Sequence, residues 1–320
     1  MNHGNARADT GTSISRRQWL AGSAAAATAA VWPCQASAST GPATGVLTRP
    51  IPARGEELPL VGLGSWITFN VGNDAVAREA CADVMQAFFG AGGRLIDSSP
   101  MYGSSQSVIG HGLRRGDALA RVFAADKVWV SPASRGPAQM EASRGLWGVP
   151  RFDLLQVHNL LAWQGHLPVL LEMKAAGRVR YVGITTSEGR RHDEMEQIMR
   201  SQPLDFVQLS YSLRDRRAEQ RLLPLAQERG IAVIANRPFE QGSLLRQLQG
   251  HPLPTWAGEW QCTSWAQLAL KFVIAHPAVT CAIPATTRVD HVRENLGAAR
   301  GPLPDAAMRR RAAAHVEGLV

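Results

Sequence analysis

Four residues in the middle of the chain carry side chains suited to giving a proton to a carbonyl oxygen: Asp97, Tyr102, Lys127 and His158. A free tyrosine ionises near pH 10, so it is a reluctant acid. An ammonium beside it stabilises the phenolate and is expected to lower that value, and Lys127 is placed to do so. A lone buried ammonium tends to lose its proton, so Asp97 is the expected partner that keeps Lys127 charged and in place. His158 is a candidate hydrogen-bond donor to the oxygen on which negative charge develops. Lys127 stands out chemically: of 34 basic residues only Lys127, Lys174 and Lys271 are lysines, and an ammonium releases its proton far more readily than a guanidinium. Nothing in this group supplies electrons, so a hydride donor must bind beside it. No metal-ligand spacing accompanies it.

Elements with a regular rhythm hold these residues. Short apolar runs without polar alternation fall at 60–63, 94–97, 122–125, 154–158, 181–185, 206–210, 232–236 and 280–284. That pattern is expected of parallel strands buried on both faces. Helical stretches separate them, among them 74–90, 162–176, 190–200, 216–229 and 260–276, several stopped by glycine. Eight such units in about 260 residues predict an α/β fold of the (β/α)8 TIM-barrel type. The rival, an open doubly wound sheet, would want a third glycine after Gly62-Leu63-Gly64, and Ser65-Trp66-Ile67 follow instead. Asp97, Lys127 and His158 then end three successive strands, with Tyr102 in the loop after the first of these. Chemistry in such barrels lies at those carboxyl ends. Residues 46–58, around Pro52-Ala53-Arg54-Gly55, read as a hairpin.

The rest of the composition narrows the function classes. With 45% hydrophobic and 19% charged residues in a chain of 320, a full core is affordable and disorder is excluded. Four cysteines rule out a disulfide-dense scaffold. The net charge of +8 is scattered, with no dense basic run beside aromatics, and argues against nucleic acid. Residues 1–38 read as a twin-arginine export signal: Arg16-Arg17 before Trp19-Leu20, a mild Ala/Gly/Thr stretch, then Ala36-Ser37-Ala38 as a cleavage site. The apolar run at 19–32 is too short to span a membrane. Expected partners are therefore the twin-arginine translocation machinery and a small-molecule carbonyl substrate, without stable membrane insertion of the mature chain, and the expected location is periplasmic. Residues 39–45 are a linker, and 46–320 one barrel. After cleavage Cys81, Cys262 and Cys281 remain, an odd number, and no structural disulfide is expected.

The segment Leu95-Ile96-Asp97-Ser98-Ser99-Pro100-Met101-Tyr102-Gly103-Ser104-Ser105 resembles the aldo-keto reductase signature around its catalytic Asp and Tyr. Ala125-Asp126-Lys127-Val128 resembles the segment bearing the family's Lys, and Asp153-Leu154-Leu155-Gln156-Val157-His158-Asn159 the one bearing its His. Ile283-Pro284-Ala285-Thr286-Thr287 through Glu294-Asn295-Leu296 resembles its C-terminal cofactor motif. The resemblance implies a (β/α)8 barrel closed at the bottom by an N-terminal β-hairpin. It implies reduction of aldehydes or ketones by NADP(H), with NAD(H) as the alternative, Tyr102 as general acid, Lys127 and Asp97 as its tuning pair, and His158 as orienting donor.

By the same resemblance, Thr185, Thr186 and Gln208 fall on nicotinamide-carboxamide positions, although Thr186 has lost an amide. Asn236 stands where many members stack an aromatic ring. Ser243 and Leu244 belong to the segment that passes over the pyrophosphate. A lysine common after the last strand's proline is Ala285 here, and a downstream arginine is His291. Arg288 is the expected substitute for the 2′-phosphate, beside Thr286, with Asn295 on an adenine position. Trp66, Phe69 and Trp163 are candidate substrate-pocket aromatics, and Trp256, Trp260 and Trp265 are expected in the core. Two other readings compete: a nucleotide-binding sensor or partner module with little turnover, as in the family's potassium-channel β subunits, and a barrel enzyme of another type, such as a phosphate-ester lyase.

Overall fold

The computed structural model describes residues 45–320. The predicted export signal and all but the last residue of the linker lie outside the described residues.

A hairpin of β1 (Thr48–Pro50) and β2 (Glu57–Pro59) precedes eight parallel strands. These are β3 (Leu63–Gly64), β4 (Leu95–Asp97), β5 (Phe123–Val128), β6 (Phe152–Val157), β7 (Val179–Thr185), β8 (Phe206–Ser210), β9 (Ala232–Asn236) and β10 (Val279–Ala282). They pair in sequence order from β3 to β10, and parallel bridges Val61↔Ala282 and Gly64↔Ala285 bring the last strand back to the first. This nearly closed ring, with helices between the strands, is the expected (β/α)8 barrel. The ten helices among the described residues are α1 (Ala75–Gly90), α2 (Ser105–Arg115), α3 (Gly136–Trp147), α4 (Trp163–Ala175), α5 (His192–Ser201), α6 (Leu222–Arg229), α7 (Ser243–Leu248), α8 (Trp265–Ile274), α9 (Val289–Ala298) and α10 (Ala306–Glu317). Asp74 caps α1 by accepting from the Ala77 N–H, as its residue type favours.

Two departures have local causes. The first barrel strand shrinks to two residues, and the glycines at and before it serve close packing against both neighbouring strands rather than a nucleotide turn. A Cβ on Gly62 would lie 2.9 Å from the Leu95 carbonyl oxygen, and one on Gly64 2.8 Å from that of Ile283. Only glycine permits that approach. The stretch 216–229 splits into a 3-10 turn, Arg217–Glu219, and α6, with Arg221 between them outside helical geometry.

Alternate residues of each strand face into the barrel. At its lower end Phe123, Tyr181 and Phe206 form an aromatic floor, with Phe123 and Tyr181 stacked at 5.9 Å and Tyr181 edge-on to Phe206 at 5.5 Å. Ile51 and Leu58 of the hairpin are buried in the same cluster, so the hairpin plugs this end. Further along the strands, two residues on for Asp97, Gln156 and Gln208 and four for Lys127, the lining turns polar and is still buried. The predicted reactive residues thus sit above a buried apolar base, beneath a cavity at the upper mouth.

Candidate active site

Asp97 ends β4 and Lys127 is the penultimate residue of β5. Lys127 Nζ donates to Asp97 Oδ2 at 2.6 Å and to the Ser98 carbonyl at 2.8 Å, and neither side chain of the ion pair is appreciably exposed. Gln208 Nε2 donates to the other carboxylate oxygen at 2.8 Å. Asp97 is thereby held from two strands. Tyr102 follows β4 in a turn closed by its own N–H donating to the Ser99 carbonyl at 2.9 Å. Its ring lies beneath the Lys127 ammonium, with Nζ 5.3 Å from the ring centroid. His158 follows β6 and meets the Tyr102 ring edge-on, with centroids 5.6 Å apart and planes at 85°. The four predicted residues therefore converge.

The electrostatics correct one expectation. Tyr102 is pushed well above the usual phenol value, by burial first and then by the Asp97 and Asp126 carboxylates; Lys127 does not reverse this. Its ammonium is directed at Asp97 and Ser98, which blunts its effect on the phenol. Tyr102 is consequently a fully protonated donor at neutral pH. His158 is lowered to about 2 by burial and by Lys127, so its imidazole is neutral. Asp126 faces away from the barrel axis, fully buried, accepting from Gln106 Nε2 at 2.8 Å and from the Lys127 N–H at 2.7 Å. Burial outweighs these bonds and the nearby Lys127 charge and raises it to about 7.

Above this group opens a cavity of about 610 Å³. It runs from Trp66, Met101, Tyr102 and His158 over the ends of β7 to β9 to Thr286, Glu294 and Asn295. Thr185, Thr186, Gln208 and Asn236 all line it. Thr185 Oγ1 accepts from the Asn159 N–H at 3.1 Å, which leaves its hydroxyl hydrogen to donate. Thr186 turns its hydroxyl toward Met195 Sδ at 3.7 Å. Asn236 is committed at both ends of its amide, donating to the Thr186 carbonyl at 3.0 Å and accepting from Ser210 Oγ at 2.8 Å. It braces the loops here.

At the far end three predicted residues stand away from the lining of this cavity. Leu244 is fully buried in the core and its neighbour Leu245 lines the cavity instead, because Gln241 and Gly242 both take left-handed backbone and turn the loop by a residue. Ser243 lines an adjacent polar cleft of about 480 Å³ and donates to the Glu240 carbonyl at 2.8 Å. Arg288 is outside the cavity, with Nε donating to Asp290 at 3.0 Å and both side chains largely exposed. His291 and Glu294 line that end in its place.

Of the candidate pocket aromatics, Trp66 lines the cavity, Phe69 is fully buried in the core, and Trp163 packs against the core with its indole N–H on Glu194. Trp256 and Trp260 are buried as expected, and Trp265 stacks on His315. The sequence reading missed Trp129, two residues beyond Lys127, whose ring is 6.5 Å from that of His158 and 39% exposed. It also passed over Ser99 as part of a motif. An exposed large aromatic after a barrel strand was the available signal for Trp129. Cys81, Cys262 and Cys281 are free and buried.

A family model described as "Aldo/keto reductase family" matches residues 60–315. Among curated relatives, methylglyoxal reductase YeaE of Escherichia coli is 29% identical over 74% of this chain and 84% of its own length. An NADH-specific methylglyoxal reductase of the same organism is 25% identical over 78% of this chain and 92% of its own. Among solved structures, an aldo/keto reductase from Klebsiella pneumoniae, in complex with NADP and acetate, superposes with a TM-score of 0.70 at 24% identity, covering 82% of this chain and 93% of that one.

Proposed function

Because the chain belongs to the aldo/keto reductase family, we propose that it reduces an aldehyde or ketone to the alcohol, with Tyr102 as the proton donor. The observation that carries this reading is the convergence of Asp97, Tyr102, Lys127 and His158 beneath one elongated cavity. NADPH or NADH, when bound, supplies the hydride.

The cavity suits a nicotinamide nucleotide in chemistry as well as in reach. Thr185 keeps a free hydroxyl hydrogen. Gln208 uses an amide N–H on Asp97, and its carbonyl oxygen has no partner among the described residues. Together they offer one donor and one acceptor, the complement of a carboxamide. Thr286 and Asn295 lie at the opposite end, where an adenosine would rest.

The chain's own residues perform the acid half of the reaction. Neutral His158 donates a hydrogen bond to the carbonyl oxygen and orients it toward Tyr102. Tyr102 O–H then gives its proton to that oxygen as it gains charge. An alkoxide is a far stronger base than a phenolate, so a phenol with a raised pKa still transfers downhill. The phenolate left behind has the Lys127 ammonium over its ring, 5.3 Å from the centroid, and that charge helps to hold it until a solvent proton restores the phenol. Asp97 keeps that ammonium in place, and Gln208 keeps Asp97 in place. The apolar floor of the barrel excludes water from below. Positioned acid catalysis of this kind contributes roughly 10²–10⁴-fold.

Trp66 at 37% exposure and Met101 at 42% stand at the cavity mouth, with Trp129 beside His158, giving the carbonyl substrate an apolar approach. The decline of NADPH or NADH absorbance with a panel of aldehydes and ketones tests the reading. Steady oxidation is expected with at least one of them; tight nucleotide binding without turnover would instead mark a sensor.

We also propose that residues 1–38 direct export by the twin-arginine route, that the barrel begins near residue 46, and that it acts in the periplasm. Arg16-Arg17 and Ala36-Ser37-Ala38 support this. The expected mature N-terminus is Ser39 in the periplasmic fraction; an intact N-terminus found only in the cytoplasm would refute it.

A further inference from the structure

We infer that Ser99 is a positioning residue whose hydroxyl sets the tautomer of His158, so that Nε2 carries the hydrogen presented to the carbonyl oxygen. The inference rests on the reading of His158 as that donor.

Ser99 Oγ lies 2.7 Å from His158 Nδ1, and both residues are buried. A neutral imidazole has one N–H, so Nδ1 either accepts from the serine or donates to it. The Met101 N–H settles the choice. It donates to Ser99 Oγ at 3.2 Å, supplying the oxygen with a hydrogen from the backbone. The serine's own hydrogen then needs an acceptor, and Nδ1 is the acceptor within reach. In the reverse tautomer the oxygen would receive two hydrogens and its own would be stranded in a fully buried position, which is unfavourable. Nδ1 therefore accepts and Nε2 keeps its hydrogen. The imidazole is neutral because burial and Lys127 disfavour its cation, so the tautomer matters. With Nδ1–H instead, the nitrogen facing the substrate would be a lone pair, repelling the oxygen it must orient.

The same serine holds the acid. Its carbonyl accepts the Tyr102 N–H at 2.9 Å, closing the turn that carries the phenol. One residue thus anchors the proton donor by its backbone and the orienting donor by its side chain. Tyr102 and Trp129 flank the imidazole, at 5.6 and 6.5 Å between centroids, and resist a ring flip that would exchange the nitrogens.

The test reads the tautomer directly. Cofactor-free protein with 15N-labelled histidine is examined by long-range 1H–15N correlation, and His158 is assigned by its loss in His158→Gln. The expected wild-type signature is protonated Nε2 and bare Nδ1 across pH 6–8. Ser99→Ala should mix the two tautomers and lower kcat about tenfold, the scale of one hydrogen bond, with nucleotide Kd unchanged. Ser99→Thr, which keeps the hydroxyl, should restore both. A wild-type Nδ1–H signature, or a Ser99→Ala spectrum identical to wild type, would overturn the inference. Because the tautomer is read without cofactor or substrate, a protein that shows it yet reduces no carbonyl refutes the reductase reading and leaves the role of Ser99 standing.

Discussion

Lys127 and Asp97 form an ion pair of 2.6 Å that is shut away from water at the upper end of the barrel. Removing one member of such a pair strands a buried charge, which costs about 3–5 kcal/mol, whereas removing both costs less. Lys127→Met should therefore destabilise the protein by that amount, and Asp97→Asn/Lys127→Met should recover part of the loss. Urea denaturation of the two variants checks this. A double variant no more stable than Lys127→Met would mean that the pair does not hold the site together.

Asp126 offers a prediction on stability against pH. Its carboxyl is raised from 3.8 to about 7 by burial. The folded state therefore holds a proton that the unfolded state has released between those values. Stability from this group is present at low pH and is lost as pH rises through about 7. His158 has the opposite sign, since its lowered value stabilises above its unfolded pKa and less so as pH falls. Comparing wild type with Asp126→Asn cancels the histidine. The variant should gain on wild type as pH rises from about 4 to about 7, by at most on the order of 4 kcal/mol, and the difference should be flat above that. Melting temperatures across that range measure it; a constant difference would contradict the assignment.

Arg288 is tied to Asp290 outside the cavity. Arg288→Ala should leave the NADPH dissociation constant within about twofold of wild type, since an exposed ion pair contributes little beyond itself. Nucleotide titration by tryptophan fluorescence reads this. A tenfold weakening confined to NADPH would put the arginine back on the 2′-phosphate.

The neutral state of His158 has a kinetic consequence. An imidazole lowered to about 2 does not titrate during assay. The pH profile of kcat/KM should show no histidine ionisation between about pH 5 and 8. An acid limb near 6.5 that disappears in His158→Gln would overturn this.

Much of this molecule was legible in the sequence, for reasons that particular elements make plain. β8 and β9 coincide with the predicted 206–210 and 232–236, because strands covered on both faces read as unbroken apolar runs. Asp97, Tyr102, Lys127 and His158 were legible because barrel geometry assigns strand ends to one mouth. What spacing does not carry is depth and direction. The phenol of Tyr102 was expected to be acidified by Lys127, yet burial and two carboxylates prevail, one of them Asp126 on the opposite face of the strand. Arg288 was expected on the 2′-phosphate, yet its neighbour Asp290 holds its guanidinium. Leu245 lines the cavity where Leu244 was expected, after the left-handed turn at Gln241 and Gly242, which no periodicity announces. Ser99 matters through its bond to a residue far along the chain, His158.

The central claim is that the Tyr102 hydroxyl delivers the proton, and Tyr102→Phe tests it most directly. Single-turnover oxidation of bound NADPH by an aldehyde substrate should slow by about 10²–10⁴-fold in this variant, with nucleotide affinity and melting temperature held near wild type. Turnover undiminished in Tyr102→Phe would contradict the account.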